Sequence, residues 1–75
     1  MKLEKFILKV LANAEDRRMC SPEAILVMLP AGIVASLGDV EAALRSLEEK
    51  RQAFGTATDD GMLWKITPNG KARLA

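Results

Sequence analysis

The sequence predicts a mainly helical α+β domain, a three-helix core followed by a short β-hairpin. Two observations carry this. Apolar residues recur at helical spacing in the first two-thirds of the chain, as in Leu3-Phe6-Ile7-Val10-Leu11 and Leu37-Val40-Ala43-Leu44-Leu47. After Arg51 the period shortens toward two, and Gln52–Ala57 and Met62–Ile66 flank the turn-forming run Thr58-Asp59-Asp60-Gly61.

The first helix is expected from about Lys2 to Asn13, its apolar stripe facing the core and Lys2, Lys5 and Lys9 on a solvated face. The charges at Glu4, Lys5 and Lys9 interrupt the apolar stretch too often for a signal peptide, so the segment reads as a helix. Ala14–Arg18 is a polar connector, and Met19-Cys20 suits a very short strand. Ser21-Pro22-Glu23 opens a second helix: the serine caps free N–H groups, proline suits the first helical position, and glutamate suits the positive end of the dipole. That helix is short, ending at Met28 or Leu29, because Pro30 and Gly32 impose a turn. Ser36 and Asp39 form a capping pattern for a third helix that runs to about Lys50. In the second strand Met62, Trp64 and Ile66 share one face, and Leu63 and Lys65 the other. Thr67-Pro68 starts a last turn kept short by Gly70. Residues 1–75 form one domain with no repeat or linker.

Composition narrows the function. Eleven basic residues against ten acidic ones leave a net charge of +1, without the large cationic excess of a strongly basic nucleic-acid-binding domain. The chain has no histidine, which excludes imidazole bases and histidine-ligated metals. One cysteine, Cys20, cannot form an internal disulfide and reads as a small, partly buried hydrophobe. No nucleophile–base pair, phosphate-binding glycine loop or metal-ligand cluster is present, so neither an enzyme nor a cofactor is expected. The longest uncharged run, Ala24 to Gly38, is broken by Pro30 and Gly32 and falls short of the ~20 residues that span a bilayer. No membrane partner and a cytoplasmic location are expected.

Helix, short strand, helix, turn, helix, hairpin is the order of a winged helix. Val40-Glu41-Ala42-Ala43-Leu44-Arg45-Ser46-Leu47-Glu48-Glu49-Lys50 resembles the third helix of bacterial winged-helix regulators, with their apolar-x-x-x-Leu-x-x-Leu-Glu-x-basic pattern. Trp64-Lys65-Ile66-Thr67-Pro68-Asn69-Gly70-Lys71-Ala72-Arg73-Leu74 resembles their aromatic-x-Leu-Thr-x-x-Gly-x-x-x-Leu ending. The resemblance implies a DNA-binding module, a small transcriptional regulator of bacterial or phage type that reads double-stranded DNA, as a homodimer if its site is a palindrome. Two features depart from the pattern. Arg51 and Gln52 stand where a glycine and an apolar residue are usual. Because glycine enters the left-handed region at least cost, the third helix is expected to end differently here. The turn Pro30–Ala35 is also longer than usual, which bears on where the third helix sits.

Under this reading Arg45 is the base-reading residue, its guanidinium suited to guanine. Ser36 and Ser46 supply hydroxyls for bases or phosphates, and Lys50, Arg51, Lys65 and Lys71 supply phosphate contacts. Arg17, Arg18 and Arg73 are further cations. From Leu37 to Lys50, however, two basic residues face four acidic ones, a net −2 that opposes approach to phosphates. Asp59 and Asp60 place negative charge at the wing tip, whereas Arg51–Ala75 carries net +2. Glu41 and Glu49 lie four residues either side of Arg45, but such pairs are worth only about 0.2–0.5 kcal/mol. The second reading is a winged helix that binds protein, through the apolar Ala24–Val34 region or through the acidic third helix. Where the cations gather in space discriminates the two.

Overall fold

The computed structural model describes residues 2–14, 20–59 and 61–74. The polar connector beyond Ala14, with Arg17 and Arg18, and Met19 and Asp60 lie outside the described residues. The order is α1 (Lys2–Asn13), α2 (Pro22–Met28), α3 (Leu37–Glu49), β1 (Ala53–Thr58), β2 (Gly61–Ile66) and α4 (Pro68–Leu74). This is a mainly helical α+β fold with an antiparallel two-stranded hairpin, compatible with a winged helix. The chain's last element is a two-turn helix rather than a single turn. Thr67 starts it: its hydroxyl accepts from Gly70 N–H (3.2 Å) and donates to the Arg51 carbonyl (2.6 Å).

Helix starts follow local chemistry. Ser21 Oγ accepts from Ala24 N–H at 3.2 Å. Ser36 and Asp39 form a reciprocal capping box, with bonds of 3.1 and 3.0 Å. Each satisfies N–H groups that a helix start leaves without intrahelical acceptors.

The core is filled by Ile7, Leu8 and Leu11 of α1, Ile25 of α2, Val40, Ala43, Leu44 and Leu47 of α3, and Ala53, Trp64 and Ile66 of the hairpin. The buried face of α1 is wider than the periodicity indicates. It includes Leu8, because α1 packs against α3, α4 and β2 at once. Leu3 and Phe6, placed on the apolar stripe, are only partly buried, and so is Leu37 of α3.

Contrary to expectation, α3 ends as it would with glycine. Arg51 adopts φ 59°, in the left-handed region. Arg51 N–H donates to the Glu48 carbonyl and Gln52 N–H to the Leu47 carbonyl, both at 2.9 Å. This is the Schellman closure. The bonds it provides hold a residue that would otherwise avoid this backbone region.

The hairpin pairs Ala53 with Ile66 and Gly55 with Trp64, and closes at Thr58 and Gly61. β1 starts one residue later than the sequence indicates, at Ala53. On the other side of β2, Cys20 and Trp64 exchange backbone hydrogen bonds of 2.7 and 2.8 Å, so Cys20 adds a one-residue strand. Gly55 allows the indole to lie against β1: a Cβ there would sit 2.7 Å from the Met62 methyl and 3.1 Å from the ring. At Gly70 a Cβ would run into the Gln52 carbonyl, so α4 packs against the α3–β1 junction only because this residue has no side chain.

Candidate functional site

The buried face of α3 leaves Glu41, Ala42, Arg45, Glu48 and Glu49 on its outward side. Arg45 forms no ion pair among the described residues, so neither flanking glutamate holds it. Beside it, between α3 and the hairpin, lies a shallow cleft of about 190 Å³ lined by Pro22, Glu41, Arg45, Glu48, Met62 and Trp64. Glu48 is anchored toward the hairpin, accepting from Gly55 N–H at 3.2 Å through Oε2.

The other candidate residues do not gather around Arg45. Ser36 lends its hydroxyl to the capping box. Ser46 and Lys50 turn instead toward α1, where both meet Glu4. Lys50 Nζ donates to Glu4 Oε1 at 2.8 Å, and Ser46 Oγ donates to Oε2 at 3.2 Å. Arg73 of α4 joins from the other side, with Nη1 3.3 Å from Glu4 Oε1 and 2.7 Å from Gln52 Oε1. Arg51 closes the end of α3, its carbonyl taken by Thr67. Lys65 is half-buried and pairs across the hairpin with Phe54. Lys71 is exposed on α4.

Glu4 is 3% exposed. Burial pushes its pKa up, but hydrogen bonds from Lys50, Arg73 and Ser46, with the charge of Lys50, outweigh that and hold the carboxyl below its ordinary value. The carboxylate therefore ties α1, α3 and α4 together as a charged group with both oxygens hydrogen-bonded. Helical spacing carries the signal for this residue: Glu4 stands three and four residues before Ile7 and Leu8, on the face that enters the core.

The electrostatic result is one-sided. With Lys50 engaged by Glu4, the outward side of α3 carries Glu41, Glu48 and Glu49 against Arg45 alone. Asp59 adds negative charge near the hairpin tip.

Apolar exposure is moderate on the hairpin, at Phe54 and Met62, and greatest elsewhere. Val27 and Met28 of α2 are exposed, and Val34 in the following loop is 99% exposed, whereas Ile25 is buried. Met28 borders a groove of about 320 Å³ with Val10, Asn13 and Ala14. Part of the Ala24–Val34 region thus stays open to solvent. Among the described residues no group of histidine, cysteine or acidic side chains is arranged to hold a metal ion, and no helix is long and apolar enough to cross a membrane. No protein-family model and no curated protein matches the chain.

Proposed function

We propose that the chain is a winged-helix module that binds a protein through the face formed by α3 and the hairpin. The observation that carries this reading is the Lys50–Glu4 pair. It engages Lys50 at the end of α3 and leaves the outward side with one arginine against three carboxylates, Glu41, Glu48 and Glu49. Binding to duplex DNA gains most of its non-specific strength from cations that displace counterions from phosphates. A helix with this charge balance is repelled as it nears the backbone. Protein surfaces carry either sign of charge and impose no such penalty.

A second reading, a DNA-binding transcriptional regulator, draws on Arg45. It is exposed on the outward side of α3 with no ion pair among the described residues. Its resemblance to bacterial winged-helix regulators supports the same reading. Titration of labelled random-sequence duplex DNA across a salt series separates the two. The protein-binding reading expects no saturable binding at low salt. Binding whose log K falls by about 0.9 per phosphate neutralised, and that weakens in Arg45→Ala, establishes the DNA reading.

A further inference from the structure

We infer that the cleft between α3 and the hairpin receives a single arginine or lysine side chain from a basic segment of the partner protein. This rests on the protein-binding reading and names the partner's chemistry. The cleft, about 190 Å³, lies below the roughly 300–1,000 Å³ typical of small-molecule pockets, so it suits one side chain rather than a free ligand. Its walls divide by chemistry. Pro22, Met62 and Trp64 offer apolar surface, and Glu41 and Glu48 offer carboxylates. Arginine and lysine have the matching form, an apolar stem that lies along hydrophobic surface and a cationic head that stays polar.

Charge fixes the sign of the guest. Glu41 and Glu48 outnumber Arg45 within the cleft, and Glu49 adds negative charge on the same side of the helix. An acidic or phosphorylated guest would meet two carboxylates against one cation. The site is preformed, since Glu48 is held by Gly55 N–H and Trp64 is pinned on both sides by backbone pairing. Little ordering remains to be done when a guest enters.

Trp64 is the only tryptophan in a chain without tyrosine, so its fluorescence reports directly on this cleft. The full chain is titrated with a short peptide alternating arginine and serine, and with a glutamate–serine peptide of equal length. The basic peptide is expected to give a saturable change in Trp64 emission that weakens in about 0.5 M salt, and the acidic peptide no change. The double variant Glu41→Gln/Glu48→Gln is expected to bind at least about ten-fold more weakly. Its fold is retained because both residues are exposed and a glutamine at 48 still offers an oxygen to Gly55 N–H. Glu49→Gln, outside the cleft, is expected to bind nearly as well as the parent. No response to the basic peptide, equal responses to both peptides, or equal weakening by Glu49→Gln and the double variant overturns the assignment. Failure here without DNA binding removes only the basic class of partner, whereas DNA binding through α3 removes the underlying reading.

Discussion

Lys50 Nζ donates to Glu4 Oε1 at 2.8 Å across 46 residues of sequence, joining the end of α3 to the first turn of α1. The lysine side chain is 48% exposed and the glutamate side chain 4%. The pair is therefore asymmetric: losing the lysine frees a solvated group, but altering the glutamate disturbs a buried acceptor shared by Lys50, Ser46 and Arg73. Glu4→Gln is expected to lower unfolding free energy by about 2–3 kcal/mol, the scale of hydrogen bonds to a buried charge. Urea denaturation measures it. Lys50→Met is expected to cost less, since Ser46 and Arg73 still reach the carboxylate.

The same carboxylate sets an acid limit. Its pKa in the folded protein is depressed, so its contribution is complete above the ordinary glutamate value of about 4.3 and is lost as pH falls through the lower folded value. Melting temperatures of the parent and Glu4→Gln, measured from neutral pH into acid, are expected to differ by a constant amount down to about pH 5 and to converge below it. A gap that stays constant into strong acid contradicts this origin.

Arg51 offers a gain in stability. Its φ of 59° is one that glycine adopts freely and arginine does not. Its side chain is exposed and its carbonyl bond to Thr67 survives substitution. Arg51→Gly is expected to stabilise the fold by about 0.5–1 kcal/mol, the left-handed penalty less the added freedom of the unfolded chain. Thermal unfolding tests the sign.

Gly55 is expected to be intolerant in the opposite sense. Gly55→Ala forces a methyl against Trp64 and Met62, and overpacking of this kind costs about 1–3 kcal/mol. Calorimetry checks the stability, and a red shift of Trp64 emission would mark the indole leaving its place beside β1.

Much of this architecture is legible in the sequence because its causes are local. Ser21-Pro22 and Ser36-x-x-Asp39 state where helices begin, and the change of period after Arg51 locates the hairpin. The end of α3 is less legible, because residue preference at Arg51 argues against a left-handed turn that the Schellman bonds, closing onto Leu47 and Glu48, impose. The site is less legible. Its cleft needs Pro22, Glu41 and Trp64 to meet, and these come from α2, α3 and β2. The sequence offers Ser46 and Lys50 to bases and phosphates because nothing within α3 indicates a buried carboxylate opposite them. Glu4 belongs to a helix more than 40 residues away, and only its spacing to Ile7 and Leu8 hints that it points inward.

The central claim concerns what the α3–hairpin face accepts, and Trp64 emission at low salt tests it most directly. Random-sequence duplex DNA and the arginine–serine peptide are titrated into separate samples of the same chain. A saturable response to the peptide with none to the duplex is the predicted result. A salt-dependent response to the duplex, lost in Arg45→Ala, would contradict the claim and make this face a DNA reader.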